Sequence, residues 1–382
     1  MTARRRGFAL SAVLLVLAVV TVVATGLLAI ATRRFLDARD AARMVRVRSA
    51  AESAIRRALV YWDADSMRAM PFGAVRPLPA AAVAQPGGAI GRAEAERLDE
   101  RRYLLRAGAR HTAGIRGTAV AAATALVTTV PLDTIWRDFY AALAVAGDVD
   151  LADGTVISGI DAGVPTPWSP TDCPAGLAVL VAALLGGADR PGIALPAAGA
   201  SLVATGATVA GLPPVWNGAP RTHTADFHRL GPIPLSDIAT IADRTEAGSV
   251  RLAPSAAGTI CDRTAPGNWG APGDPADPCF DFVPLIFATS DLEITGGAGQ
   301  GILVVDGSVT FRVGAGFTGL VLATGRVELD GARITGAVRA AAGARIDGVI
   351  ETSGCAVGRV LRRTRALRRP YRSGVRLWLP SF

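Results

Sequence analysis

Four apolar positions near the C-terminus, Leu285, Ile302, Leu320 and Ala337, recur at steps of 17, 18 and 17 residues. A second set, Leu292, Val309, Val327 and Ala344, follows at a fixed offset, and Ile294, Phe311, Leu329 and Ile346 form a third. Gly307, Gly325 and Gly343 keep the same phase, as expected where each unit turns through a conformation that a side chain hinders. Within each unit apolar and polar residues alternate, as in VTF, VEL and ARI, so one strand face points inward. A unit this short cannot bury its own face. Repeated in this way it reads as a parallel β-solenoid of 17–18-residue coils stacked at about 4.8 Å, each coil completing the core of the last. Segments 143–159 and 201–211 share the texture and are assigned to the same stack.

The repeat also aligns outward residues. Arg312 falls beside Asp330 and Asp347 in one column, and Thr310 beside Glu328 and Arg345 in the next, so Arg312 with Asp330 and Glu328 with Arg345 are expected as cross-coil pairs. Glu328 and Asp330 share a strand face. As an acid pair they would be the marker of a polysaccharide-active enzyme on such a scaffold, but their basic partners favour a neutralised surface.

At the other end, residues 8–31 form an uncharged, almost wholly apolar run. As a helix it would span about 36 Å, enough for a hydrocarbon core of about 30 Å with some tilt. A secretory signal peptide, cut after Ala29-Ile30-Ala31, is the alternative, although such peptides usually carry an apolar region of about 7–15 residues. Arginines flank both ends, Arg4 to Arg6 before and Arg33 and Arg34 after, so charge alone leaves orientation open. Beyond the run, Leu36, Val47, Ala51, Ala54, Ile55, Ala58 and Leu59 recur at helical steps among Arg and Asp, which extends the helix as an amphipathic stalk to residue 62.

The N-terminal sequence RRRGFALSAVLLVLAVVTVVATG resembles that of type IV pilin-like proteins, in which a short basic leader ends in Gly before a long hydrophobic helix. The resemblance implies that prepilin peptidase cuts between Gly7 and Phe8. Major pilins carry a glutamate at the fifth mature position; here that position is Ala12, as in PilX-type minor pilins and the tip pseudopilin of type II secretion, which lack the residue. The stretch RSAAESAIRRALVYW around Glu52 also resembles PilX-type N-termini, and GQGILVVDGSVTF, TGLVLATGRVEL and TGAVRAAAG (299–311, 318–329 and 335–343) resemble segments of PilX-type assembly proteins. The likeness covers about the first 60 residues and region 282–355.

It implies a non-enzymatic minor pilin or pseudopilin acting in assembly or at the tip of a filament. It also implies an inner-membrane, single-pass topology with a cytoplasmic N-terminus and a periplasmic head. The expected partners are the membrane, prepilin peptidase and other pilins, with no cofactor, metal or nucleic acid. A membrane-anchored or secreted solenoid that binds a surface is the alternative class, followed by a polysaccharide-active enzyme.

The expected fold class is mainly β with a long N-terminal α-helix. The layout is a leader (1–7), a transmembrane and stalk helix (8–62), a linker and β-rich region (63–140), a solenoid-like head (141–358) with an insertion at 160–284, and an Arg-rich C-terminal cap (359–382). The net charge of +8 sits at the ends. Residues 1–57 and 359–382 each carry +8 and the middle −8, so basicity is no argument for a nucleic-acid-binding body. All 40 basic residues are arginine. In the segment RVLRRTRALRRPYR, Val360, Leu361, Thr364 and Leu367 share one helical face before Pro370, which reads as a helix covering the open end of the stack, the alternative being a basic surface for anionic lipid, an acidic partner or nucleic acid. Leu377, Trp378 and Leu379 are expected to pack back as a last strand.

Cys173, Cys261, Cys279 and Cys355 all follow the apolar run, and four cysteines allow three complete pairings. Cys261 and Cys279 bracket a Pro/Gly/Asp-rich segment that builds no core, and closing that 19-residue loop would contribute about 3 kcal/mol. Cys173 and Cys355 remain for each other.

Other chemistry is weakly signalled. His223, Asp226 and His228 lack a common metal spacing, and Asp148, Asp150 and Asp153 lack the glycine and distal glutamate of a calcium loop. The glycine-rich run 296–301 precedes no helix and reads as a turn between coils. No Ser-His-Asp or Cys-His arrangement emerges.

Overall fold

The fold is that of a computed structural model, which describes residues 6–78, 90–112, 118–130, 132–173, 189–197, 199–220 and 222–372. The leader up to Arg5 and the segment with Leu377, Trp378 and Leu379 lie outside the described residues. The chain is mainly β, with one long N-terminal helix, and divides into two compact units: Met1–Thr128 with Arg372–Phe382, and Thr129–Tyr371.

In the first unit, α1 (Arg6–Val60) is one unbroken helix of 55 residues. Its apolar N-terminal stretch is exposed from Val13 to Ile30 and is long and apolar enough to cross a membrane. The later half buries Val47, Ala51, Ala54, Ile55 and Ala58. They pack on an antiparallel sheet of β1 (Val75–Pro77), β2 (Ile90–Arg97), β3 (Arg102–Thr112) and β4 (Thr118–Thr128). Period-two alternation makes the fit: Ala93, Ala95, Leu105, Ala107 and Ala109 face the helix, and their small side chains allow close approach. Between them Glu94 and Glu96 face outward and pair with Arg106, at 3.9 and 2.7 Å. The region expected as linker and β-rich sequence to residue 140 is thus a sheet bound to the stalk, and the boundary falls after Thr128.

The second unit is built on parallel pairing. Seven short strands come first: β5 (Leu143–Val145), β6 (Val149–Leu151), β7 (Val156–Ser158), β8 (Ile193–Leu195), β9 (Leu202–Ala204), β10 (Thr208–Ala210) and β11 (Val215–Asn217). A small antiparallel pair, β12 (Arg229–Leu230) with β13 (Ile233–Pro234), precedes β14 (Arg244–Val250). Another, β15 (Ala256–Ala257) with β16 (Ile260–Cys261), leads to the C-terminal strands. These are β17 (Leu285–Ile294), β18 (Gly297–Val305), β19 (Val309–Phe311), β20 (Ala315–Ala323), β21 (Val327–Ala340) and β22 (Ala344–Glu351).

The repeat positions pair in the register their spacing predicts: Leu285 with Ile302, Ile302 with Leu320, Leu320 with Ala337. Leu292, Val309, Val327 and Ala344 do the same in a second ladder. A third joins Phe317, Ile334, Ile350, Ile157 and Val209. All three continue into the earlier strands, through Val338 to Leu143, Ala344 to Val149 and Ile350 to Ile157. The chain therefore enters the middle of the sheet at β5–β7 and runs outward to β11. It then crosses to β14, which pairs with β17, and winds back through β17–β22 to meet its own start.

Segments 143–159 and 201–211 thus join the same parallel sheet as the C-terminal strands. So do β8, β11 and β14, within the stretch 160–284 that the sequence suggests is an insertion. Their three to seven residues are too short to carry a visible period.

Inside the stack, Ile286, Leu303, Val321 and Val338 meet Leu292, Val309, Val327 and Ala344 in one core. The first ladder is buried on its other face too, where Leu285, Ile302, Leu320 and Ala337 meet Phe139, Phe227, Val357, Val360, Leu361 and Leu367. That double burial explains the near-continuous apolar runs such as GILVV and LVLA. A column of glycines marks one bend: Gly301, Gly319 and Gly336 pair in turn with φ of 132°, 143° and 152°. A Cβ on Gly319 would overlap the Gly301 carbonyl, and one on Gly336 the Gly319 carbonyl.

Three other expectations are corrected. The Arg-rich segment does not close an end of the stack. It forms the helix Gly354–Arg363, then Arg365–Arg368, and the longer helix lies against β18, β20 and β21. Its apolar face is as expected, with Val360, Leu361, Thr364 and Leu367 all buried, and the exposed flank of the first ladder is what it covers. The run 296–301 is mostly strand, since β18 begins at Gly297. Arg312 does reach Asp330, at 3.5 Å, but its closer partner is Glu293 at 2.7 Å; Glu328 and Arg345 are cross-strand neighbours, with no ion pair between them among the described residues.

Candidate functional site

Gly7, Phe8 and Ala12, the positions of the expected processing signal, fall in the first turns of α1. The four cysteines form two disulfides, Cys173–Cys355 and Cys261–Cys279, with Cα separations of 5.0 and 4.8 Å. The second closes the Pro/Gly-rich loop around buried Asn268, whose amide donates to the Ser255 and Asp262 carbonyls. The first ties the segment ending at Cys173 to the start of helix Gly354–Arg363, where the Ser353 hydroxyl caps the helix by accepting from the Ala356 N–H. Disulfides of this kind persist in oxidising compartments.

Behind that helix lies a buried polar knot that sequence reasoning missed. Gln300, on β18, donates from Nε2 to the carbonyls of Phe280 and Phe282 and accepts from Arg359 Nη1 at 3.1 Å. Arg359 donates further to the Phe280 carbonyl and to Asp281 Oδ1, and its guanidinium lies over the rings of Phe280 and Trp168, 3.9 and 5.0 Å from their centroids. Burial lowers the arginine from its ordinary value, and Asp281 partly restores it. A lone Gln inside a glycine-rich stretch was the available signal.

Beside the knot the surface opens into a pocket of 520 Å³. Arg263, Arg363, Arg365, Arg368 and Arg369 line it, with Asp243 and Asp281. The tail delivers Arg365, Arg368 and Arg369 by a break at Thr364: its N–H still bonds the Val360 carbonyl, then a new turn buries Ala366 and Leu367 and leaves these arginines on the other side. Asp281 is shared by Arg359 and Arg363, at 2.9 and 3.6 Å. Asp243 accepts the Leu285 N–H at 3.0 Å, and burial pushes its carboxyl up despite Arg369, Arg365 and Arg263. Burial and the charge of Arg365 push Arg263 down.

The remaining sequence candidates are not brought together. His223 and His228 flank a short 3₁₀ turn whose Phe227 is buried in the second core. Asp148 accepts from the Ser201 N–H and hydroxyl, which holds its carboxyl below the usual range. Among the described residues no cluster of three His, Cys, Asp or Glu side chains is placed to hold a metal. Comparison of the chain with protein-family models, curated proteins and solved structures found no match.

Proposed function

We propose that this protein is a minor pilin or pseudopilin: a membrane-held assembly component that presents a disulfide-tied β-solenoid head outside the cytoplasm. The observation that carries the reading is the split character of α1. One unbroken helix is bare and apolar over residues 13–30, yet buries a stripe from Val47 to Ala58 against an antiparallel sheet. A helix exposed on all sides over that length needs lipid or other helices around it. Continuity with the packed half ties the apolar stretch to the antiparallel sheet that the same helix carries. In this reading the Gly7–Phe8 bond is the processing site, and Ala12 takes the place of the glutamate that would pair with a neighbour's amine, which suits an initiating or tip position.

The solenoid reading of the head is supported by the three parallel ladders and the stacked glycines, and a rigid stack offers outward-facing residues for contact with a surface or another subunit. The test is co-expression with a prepilin peptidase. Wild-type protein should lose seven residues and Gly7→Leu should stay uncut; wild-type protein of unchanged length would count against the proposal.

A further inference from the structure

The arginine-lined pocket has a charge balance that folding alone does not require. Five arginines against two aspartates leave a formal excess of three positive charges around one opening. The two aspartates offset only part of it, since Asp281 is divided between Arg363 and the buried Arg359, while Asp243 stands alone against Arg263, Arg365 and Arg369 and also accepts the Leu285 N–H. The positive groups crowd one another, with Arg365 acting on Arg263. Helix amphipathicity accounts for arginines being outside, but Arg263 comes from the disulfide-closed loop between Cys261 and Cys279 and converges on the tail from a distant part of the chain. Like charges held together from two separate segments repel, and an anion between them removes that cost.

We propose that this pocket binds a phosphoryl-bearing anion, a phosphomonoester or diphosphate. A single carboxylate would neutralise one of the excess charges. A phosphoryl group carries about −1.5 to −2 at neutral pH and offers three acceptor oxygens, and the planar guanidinium fork matches its geometry. A volume of 520 Å³ holds such a group with part of the molecule that bears it, and Phe282 in the wall supplies an apolar surface for that remainder. Arg365 and Arg369, one from each end of the last helical turn, are assigned the phosphoryl contacts, with Arg263 opposite. The site is independent of the pilin reading.

The test is calorimetric titration of the full-length protein in a zwitterionic detergent with sodium pyrophosphate, citrate and dihexanoyl phosphatidic acid. Binding of pyrophosphate or of the phosphatidic acid, at least tenfold tighter than citrate, is expected. It should weaken at least tenfold in the Arg365→Gln/Arg369→Gln variant and stay unchanged in Arg345→Gln, an arginine on β22 away from the pocket. Preference for the phosphatidic acid would make a lipid headgroup the source, and preference for pyrophosphate a soluble phosphate. No binding of either phosphoryl probe at millimolar concentration, equal affinity for citrate, or unweakened binding by the double variant would overturn the proposal. Should the double variant misfold, the comparison with citrate on the wild-type protein still decides it.

Discussion

Val338 and Leu143 are parallel partners, one from the last long strand but one of the body and the other from its first. Their pairing joins two groups of parallel strands that chain order separates, and both side chains are fully buried in the same core. The sheet is therefore continuous only if this seam holds.

Truncating either side of the seam should unfold the body as a whole. Leu143→Ala is expected to cost about 2–5 kcal/mol, as for a core truncation that leaves a cavity. Leu143→Ala/Val338→Ala should cost less than the sum of its singles, because the two residues share a cavity. Urea titration of the intact protein, followed by tryptophan fluorescence, measures this, and an unmoved midpoint for Leu143→Ala would show that the two runs are independent.

The glycine column separates steric from conformational cost. Gly319→Ala must both hold φ near 143° and push a methyl into the Gly301 carbonyl, so a loss above about 3 kcal/mol is expected. Gly314→Ala, at φ 78° with no atom within 4 Å of the new Cβ, should lose only about 1 kcal/mol. Equal effects in the same urea titration would mean that the close stacking of Gly301, Gly319 and Gly336 is not what fixes the bend.

Gln300→Leu keeps the side chain's size but leaves the Phe282 carbonyl without its Gln300 donor and removes the acceptor of Arg359 Nη1. A loss of about 2–4 kcal/mol is expected from the buried groups left unsatisfied. The Cys173–Cys355 disulfide would still hold the helix, so the effect should deepen on reduction; identical losses in oxidised and reduced protein would argue against the helix being what Gln300 secures.

Much of this architecture was legible in residue spacing, and the reasons for the rest are local. Leu285, Ile302, Leu320 and Ala337 stand in long strands with a one-residue tolerance in their period, so the register of β17–β21 follows from counting. Ile193–Leu195 and Val215–Asn217 are three-residue rungs separated by loops of unequal length, and no periodicity survives in them. The amphipathic face of the Arg-rich tail was readable, but not the surface it covers: Val360 and Leu361 pack on the outer face of the first ladder, and nothing in the local sequence of the tail says which apolar run it meets. The pocket was illegible for the same reason, since Arg263 and Arg365 meet only after the disulfide loop and the tail have folded back.

Asp243 gives a pH-dependent signature. Its carboxyl is raised by burial, so the folded chain holds the proton more tightly than the unfolded one, and stability falls as pH rises from the unfolded value, about 3.9, through the folded one. Above that window the cost is complete. Asp243→Asn, which keeps an acceptor for the Leu285 N–H, should therefore be more stable than wild type at pH 7, with the advantage vanishing below about pH 4. Thermal midpoints across pH 3.5–8 measure it; an advantage constant with pH would remove the carboxyl as its cause.

The central claim, that the chain is anchored and processed as a pilin, is tested most directly by the N-terminal residue of protein recovered from its native membranes. Mass spectrometry should find N-methylated Phe8 as the first residue of a helix running on through the membrane to the sheet. A mature N-terminus at Thr32, or an uncut Met1, would contradict the account and leave the head as the body of a secreted or simply anchored protein.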